Sequence, residues 1–303
     1  MTIGIRALHP LFVGEVEGLD LRRPLGIDEI AAIHEAMDRH AVLVFRDQRL
    51  DDEAQLAFTR QLGPIVAATG GLIAKPGEGR LGIDIADLSN LDEQDRIMAA
   101  DDRRRLYNLG NRLWHSDRSF CVVPAKYSAL SGRRIPGSGG DTEFADMRAA
   151  HDALDAAMRA TIADLVCEHS LMYSRAILGF TDYTAEERST FAPVRHRLVR
   201  TNPRTGRKSL FLSAHAGAIV GWSLPEARDL LRELTEHATR REFVHAHRWR
   251  QDDLVIWDNR QTMHRVRRFD DTRTVRDVRR TTTLDDGPTV EQGGGVPARV
   301  ARG

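Results

Sequence analysis

Short runs of β-forming residues lie at both ends of the chain, and this pattern most narrows the folds that it can adopt. Apolar and β-branched runs predict strands at 41–46, 127–131, 142–144, 241–249, 253–257 and 275–283. Helical spacing of apolar residues is confined to 52–62, 146–165 and 224–239. Strand and helix do not alternate regularly, so a parallel sheet is not favoured. We therefore predict a mainly β chain with helical insertions, folded as a sandwich or jelly roll.

The middle and the end of the chain depart from this pattern. Residues 66–110 hold Gly70-Gly71, Pro76-Gly77 and a charged stretch, which predict long loops of the kind that bind ligands or form lids. Gly70-Gly71 and Gly139-Gly140 match neither a P-loop nor a dinucleotide-binding motif. After Asp286 the sequence is rich in Gly, Pro and Arg, which predicts a disordered tail over 287–303. Residues 1–286 are expected to form one domain.

Charge and cysteine content limit the partners and the compartment. The 303 residues include 44 Lys and Arg against 44 Asp and Glu, so no overall field would attract nucleic acid or an acidic membrane. The sequence contains no run of about 18 apolar residues, the length that a membrane-spanning helix needs. The N-terminus lacks the charged, apolar and small-residue regions of a signal peptide. Two cysteines, Cys121 and Cys167, cannot form a disulfide framework. We expect a cytoplasmic protein with a small-molecule partner, no nucleic-acid or membrane partner, and a homo-oligomeric state.

Trp114-His115-Ser116-Asp117 contains the only His-x-Asp triplet of the sequence. In an extended segment, residues two apart point to the same side, so this imidazole and carboxylate could reach one ion. Two His and one carboxylate leave positions open on an octahedral metal, as iron(II) that activates oxygen requires. About one such triplet is expected by chance in a chain with 12 histidines. Alone, the triplet therefore fits a loop histidine beside an aspartate at least as well.

His264 is the candidate for the third ligand. It follows the apolar strand predicted at 253–257, at a position expected to lie between strand and loop. Functional side chains are common where a rigid strand ends. A surface or helix-capping histidine is the alternative interpretation.

Alternation along 275–283 places two cations on one side of a predicted strand. Arg276, Val278, Arg280 and Thr282 would share a face, and two arginines that face a core each need an anion. At roughly 3.3 Å per residue their Cα atoms lie about 13 Å apart, which suits two separate carboxylates. The alternative is a solvated basic edge strand whose core-facing residues are Asp277 and Arg279. The hydroxyl of Thr142, after a glycine turn, either binds a ligand or belongs to the turn.

A series of spaced blocks along almost the whole chain resembles one known family, the taurine and 2,4-dichlorophenoxyacetate group of iron(II)/2-oxoglutarate dioxygenases. The similarity is densest at the triplet and in the second half of the chain, and residues 66–108 match poorly. The blocks comprise 8–12, 16–22, 42–46, 113–117, 139–150, 236–243, 257–260, 263–265 and 279–286.

The resemblance implies a fold, a cofactor set and roles for particular residues. The implied fold is a double-stranded β-helix, a cupin-like jelly roll, and the implied cofactors are Fe(II), 2-oxoglutarate as co-substrate and O2. His115, Asp117 and His264 would hold the iron. Thr142 and Arg276 would bind the distal carboxylate of 2-oxoglutarate, and Arg280 would bind the anionic group of an aromatic substrate. Further pocket residues implied in the same way are Asn111, Trp114, His215 and Lys75.

The reaction that the resemblance implies is oxidative cleavage of an aryloxyalkanoate. Hydroxylation of the carbon next to the ether oxygen would release a phenol and glyoxylate, with succinate and CO2 formed from 2-oxoglutarate. A dioxygenase of the same family for a sulfonate or another small anion is the nearest alternative. A zinc hydrolase with the same ligands and a non-catalytic jelly-roll binding protein are the alternatives from other classes.

Overall fold

The computed structural model describes residues 3–68 and 80–290. Its helices are α1 Ile27–His40, α2 Asp52–Leu62, α3 Arg103–Asn108, α4 Met147–Asp152, α5 Ala156–Ile162, α6 Leu171–Ala176, α7 Ala185–Thr190 and α8 Leu224–Ala238. Its strands are β1 Gly4–Ala7, β2 Gly14–Glu17, β3 Val42–Phe45, β4 Ala86–Asp87, β5 Ala125–Arg134, β6 Thr142–Asp146, β7 Val166–His169, β8 Val194–Arg197, β9 Val199–Thr201, β10 Lys208–Leu210, β11 Ala216–Ile219, β12 Val244–His247, β13 Leu254–Asp258, β14 Thr262–Val266 and β15 Asp277–Leu284. The predicted class, mainly β with helical insertions, is confirmed.

Two sheets enclose the inner core. The larger has the strand order β1-β2-β3-β13-β5-β15-β4, and the smaller has the order β12-β6-β14. Pairing is antiparallel except between β2 and β3. Phe144 of the smaller sheet packs in one buried cluster with Val44, Val255 and Val278 of the larger sheet. Apolar side chains from both sheets thus fill the space between them, as in a jelly roll.

The central strands of the larger sheet are buried on both faces. In β3, Val42 and Val44 point to the inner core, whereas Leu43 and Phe45 point outward into a cluster with α1 and α2. Because alternate residues face different apolar layers, such a strand appears in the sequence as one continuous apolar run. A third cluster, which includes Ala145, Met263 and Leu234, covers the outer face of the smaller sheet with α4 and α8.

The helix predicted over 146–165 is divided in the structure. Asp146 caps α4 by accepting from the main-chain N–H groups of Arg148 and Ala149, and Asp155 caps a separate helix, α5, by accepting from Met158. An aspartate inside an apolar helical pattern is therefore a start signal for a second helix. Residues 66–110, predicted as loops, contain α3, and a 3-10 turn at Leu109–Arg112 follows it.

Residues 287–290, in the segment predicted as a tail, belong to the described part of the chain, and Thr289 contacts β8. Thr289 is fully buried, and its hydroxyl bonds to His196 Nδ1 at 2.8 Å and accepts from the Arg197 N–H at 3.1 Å. The rest of the predicted tail, 291–303, lies outside the described residues. Among the described helices, none combines the length and the apolarity that a membrane span requires.

Helix α1 offers a matched test of the outer core. Ile33 is 0% exposed within the cluster on the larger sheet, whereas Ile27, at the start of the same helix, is 88% exposed. Ile33→Ala is expected to lower the free energy of unfolding by about 2–5 kcal/mol because it leaves a cavity. Ile27→Ala should change it by no more than about 0.5 kcal/mol. Urea unfolding measures both values, and equal losses would contradict the assigned packing of α1.

Candidate active site

A main-chain bridge joins the two candidate histidines. The His115 N–H donates to the His264 carbonyl at 3.0 Å, and the His264 N–H donates to the His115 carbonyl at 2.9 Å. Residues that exchange both hydrogen bonds lie directly opposite each other, with their side chains on the same side. The two ring centroids are consequently 4.2 Å apart. His264 lies in the middle of β14, so its predicted position between strand and loop was wrong.

Asp117 completes the group from the same side of the chain as His115. One carboxylate oxygen, Oδ1, lies 3.9 Å from His115 Nε2, and the other, Oδ2, lies 3.7 Å from His264 Nε2. The three potential ligand atoms all lie within 4.8 Å of one another, and all three residues are buried. The structure therefore brings together the three residues that were predicted to hold a metal.

Neighbouring groups fix the orientation of these side chains. His115 Nδ1 bonds to the Leu113 carbonyl at 2.7 Å, which leaves Nε2 unprotonated and directed toward Asp117. One oxygen of Asp117 accepts from the Ser128 hydroxyl at 2.7 Å, and the main-chain N–H of Asp117 donates to Asn259 Oδ1 at 3.0 Å. The Asn259 amide also donates to the Ser128 hydroxyl at 3.0 Å, which closes a small network.

Electrostatics favour the protonation states that a divalent metal requires. Burial lowers the pKa of His115 and lowers the pKa of His264 well below its usual value, so both imidazoles are neutral near pH 7. Burial alone would raise the pKa of Asp117, but the Arg280 guanidinium and the hydrogen bond from the Ser128 hydroxyl outweigh it and hold that pKa below its usual range. Two neutral imidazoles and one carboxylate fit the donor set of iron(II) in oxygenases.

Arg276 and Thr142 form the inner end of a cavity that also reaches both histidines. Arg276 is 5% exposed, and its Nε donates to the Gly140 carbonyl at 3.2 Å. Within the described part of the chain, Arg276 has no carboxylate at ion-pair distance, and burial lowers its pKa to about 10. Thr142 Oγ1 accepts from Trp249 Nε1 at 2.9 Å, so its hydroxyl proton can still donate. These two groups are ready to receive an anion.

Arg280 lines the same cavity and donates to the Asp117 carboxylate. The opposite face of β15 carries Asp277 and Arg279, which pair with Arg80 at 3.1 Å and Asp52 at 2.7 Å respectively. The period-two prediction that Arg276 and Arg280 share a face is therefore confirmed. The alternative, a solvated basic edge strand with Asp277 and Arg279 on its core-facing side, is wrong because β15 lies between β5 and β4, with Arg276 and Arg280 in the cavity lining.

The remaining predicted pocket residues have different positions. Asn111 lines the cavity from the 3-10 turn. Trp114 lies outside the lining and stacks on the Arg265 guanidinium at 4.6 Å. His215 also lies outside it, buried behind His115 with 6.1 Å between ring centroids. Lys75 lies outside the described residues. The apolar part of the lining consists of Leu88, Met98, Leu109, Leu130, Trp257, Val266 and Phe269.

Sequence reasoning missed three residues that position the site. Ser128 and Asn259 hold Asp117, and Asn90 holds the Arg276 main chain, accepting from its N–H at 2.8 Å and donating to its carbonyl at 3.2 Å. Asn259 follows the strand of Trp257 within one of the blocks of resemblance, which is a usable signal. Ser128 carries no comparable local signal.

Ser128 gives a test of how strongly the network supports the metal. Ser128→Ala removes the hydroxyl that donates to Asp117, and loss of such a partner commonly lowers metal affinity about 10–100-fold. Mn(II) titration followed by electron paramagnetic resonance measures this change. Ser131→Ala on the same strand is the control, because the Ser131 hydroxyl bonds to Gln55 at 2.7 Å and not to Asp117. Equal Mn(II) affinity in all three proteins would exclude the positioning role of Ser128.

Comparison with known proteins adds independent information. The family model for taurine catabolism dioxygenase TauD, TfdA family matches residues 4–282. The chain is 46% identical over 286 residues to the alpha-ketoglutarate-dependent 2,4-dichlorophenoxyacetate dioxygenase of Cupriavidus pinatubonensis, across 94% of this chain and 99% of that protein. It is 36% identical over 250 residues to the (S)-phenoxypropionate/alpha-ketoglutarate-dioxygenase of Delftia acidovorans, across 79% and 81%. The crystal structure of AAD-2 in complex with Mn(II) and N-oxalylglycine is similar at a TM-score of 0.93 and 56% identity, across 96% and 100%.

Proposed function

This chain belongs to the taurine catabolism dioxygenase TauD, TfdA family, and on that premise we propose that it oxidises aryloxyalkanoates such as 2,4-dichlorophenoxyacetate. The predicted enzyme class, a 2-oxoglutarate-dependent dioxygenase, and its cofactors Fe(II), 2-oxoglutarate and O2 are confirmed. The substrate proposal is supported by two relatives whose names specify phenoxyacetate and phenoxypropionate substrates.

One observation supports this proposal more than any other. Arg276 lines the same cavity as the two histidines, and among the described residues it has no carboxylate at ion-pair distance. A buried guanidinium without a carboxylate is costly unless a ligand supplies the anion. A keto acid with a second, distal carboxylate could fill the open metal positions and also supply this anion. Its keto-acid end can chelate the metal while the distal carboxylate reaches Arg276 and Thr142. N-oxalylglycine, bound in the AAD-2 crystal, is 2-oxoglutarate with one methylene replaced by NH.

The chain's own residues hold the metal and orient the substrate. Bound iron with O2 and 2-oxoglutarate supplies the oxidation of a C–H bond to C–OH, with succinate and CO2 as co-products. We assign His115, Asp117 and His264 to holding the metal, and Arg280 to holding the substrate carboxylate so that the adjacent carbon faces it. The apolar part of the lining would exclude water and contact the ring. The hydroxylated carbon next to the ether oxygen is a hemiacetal, which collapses to a phenol and glyoxylate.

A substrate screen tests the proposal against its alternatives. Succinate release and O2 uptake should depend on 2-oxoglutarate and Fe(II), and should be faster with aryloxyacetates or aryloxypropionates than with taurine. A sulfonate dioxygenase would reverse that order, and a zinc hydrolase would consume no O2. Turnover of taurine alone, or hydrolysis without O2 uptake, would reject the aryloxyalkanoate proposal.

Conservative variants of the two cavity arginines should separate their roles. Lysine keeps the charge but loses the planar fork that binds a carboxylate at two points. Arg276→Lys is therefore expected to raise KM for 2-oxoglutarate roughly tenfold or more, with little change in KM for the aryloxyalkanoate. Arg280→Lys should produce the opposite pattern, with Mn(II) affinity retained because a cation still faces Asp117. If both variants raised the same KM, the separate assignments would be incorrect.

The cellular compartment and the oligomeric state of the enzyme stay predictions. We propose a cytoplasmic homo-oligomer, and the free thiols of Cys121 and Cys167 suit a reducing compartment.

A further inference from the structure

A second charged group lies at the outer end of the cavity. Arg105 of α3 and Arg112 of the 3-10 turn both approach the carboxylate of Asp271, in the connection between β14 and β15. A nitrogen of Arg105 lies 3.1 Å from this carboxylate, and a nitrogen of Arg112 lies 3.5 Å from it. The side chains of Arg105 and Asp271 are 13% and 14% exposed and that of Arg112 is 31% exposed, so this group is closer to solvent than Arg276.

The charges along the cavity are unequally compensated. Four arginines line it: Arg105, Arg112, Arg276 and Arg280. Arg280 faces Asp117, and the two outer arginines share one carboxylate, that of Asp271. Of these four, Arg276 is the one without a carboxylate at ion-pair distance among the residues that the structure describes. The negative charge of Asp271 therefore decides whether the guanidinium groups of Arg105 and Arg112 are neutralised at the outer end of the cavity.

The main chain holds Asp271 independently of its charge. Its N–H donates to the Phe269 carbonyl at 3.0 Å, and its carbonyl accepts from the Asn90 side chain at 2.8 Å. Asn90 also binds the Arg276 main chain. An asparagine at position 271 would keep the size of the side chain and these main-chain bonds while removing the negative charge.

We infer that Asp271 is a specificity-determining residue that keeps carboxylates from being held at the outer end of the cavity. By neutralising Arg105 and Arg112, it leaves Arg276, at the inner end where the co-substrate belongs, as the one of the four arginines that no carboxylate of the described residues neutralises. Without that neutralisation, two guanidiniums would offer an incoming aryloxyalkanoate a carboxylate site in front of Arg276. This inference rests on the proposed function, because both the substrate and the co-substrate are carboxylates there.

The test uses equilibrium binding and no turnover. N-oxalylglycine is titrated calorimetrically into Mn(II)-loaded protein at increasing concentrations of phenoxyacetate. In the wild-type protein, phenoxyacetate should leave the Kd of N-oxalylglycine nearly unchanged. In Asp271→Asn, phenoxyacetate held at Arg105 and Arg112 should weaken N-oxalylglycine binding at least about tenfold, as expected for charge-assisted bonds to a carboxylate.

Three further variants separate this role from general effects. Asp270→Asn removes a charge from the exposed neighbouring residue, whose carboxylate accepts from Thr272, and it should behave as the wild type. Asp271→Glu keeps the charge and should do the same. Adding Arg105→Gln and Arg112→Gln to Asp271→Asn removes the freed cations and should abolish the competition by phenoxyacetate.

Four results would overturn the inference: no competition in Asp271→Asn, equal competition in Asp270→Asn, competition in Asp271→Glu, or competition that persists in the triple variant. Because phenoxyacetate serves here as a carboxylate ligand, these outcomes do not depend on its oxidation. The succinate screen decides the proposed function separately.

Discussion

The main-chain bridge between His115 and His264 is the contact on which the site depends. It joins the segment before β5 to β14 of the smaller sheet, and its two hydrogen bonds fix the separation of the imidazoles. Asp117 follows on the same side, where Ser128 of the larger sheet and Asn259 hold it. The ligand group is thus fixed by both sheets, and a metal would meet side chains already in place. Such preorganisation avoids the cost of ordering flexible ligands on binding.

The distribution of buried charge follows from the same arrangement. Asp117 remains ionised because the Arg280 guanidinium faces it and the Ser128 hydroxyl donates to it, although burial opposes the charge. Among the residues that the structure describes, no carboxylate lies at ion-pair distance from Arg276 at the inner end of the cavity, so these residues do not compensate its desolvation. A ligand carboxylate would relieve that cost when it binds. The affinity for a dicarboxylate co-substrate therefore arises partly from the buried positive charge of Arg276, which the fold holds without an anion at ion-pair distance among the described residues.

Local patterns in the sequence predicted much of this, and long-range contacts account for most of what they did not predict. Helix α2 begins and ends as predicted, and alternation along β15 correctly placed Arg276 and Arg280 on one face. The position of His264 within β14 was missed because this strand is defined by its pairing with β6, in which Phe144 lies opposite His264 and is far away in sequence. Ser128 was missed although Asp117 is only 11 residues away, because a serine inside an apolar strand gives no local sign of the carboxylate that its hydroxyl meets. Helix α3 was missed because glycine and charge in its surroundings favoured loops.

Strand β15 shows how Arg276 can be held although no carboxylate of the described residues pairs with it. Its opposite face is tied by Arg279 to Asp52 of α2 and by Asp277 to Arg80, which also binds Asp87 of β4. Asp277 is buried, so removing one of its partners would leave a buried charge without compensation. The loss of an exposed ion pair would cost much less stability. Asn90, in the segment after β4, fixes the main chain of Arg276 directly. Paired charges on one face of the strand thus hold Arg276 on the other. Among the described residues, they place no carboxylate at ion-pair distance from the guanidinium that would receive the co-substrate.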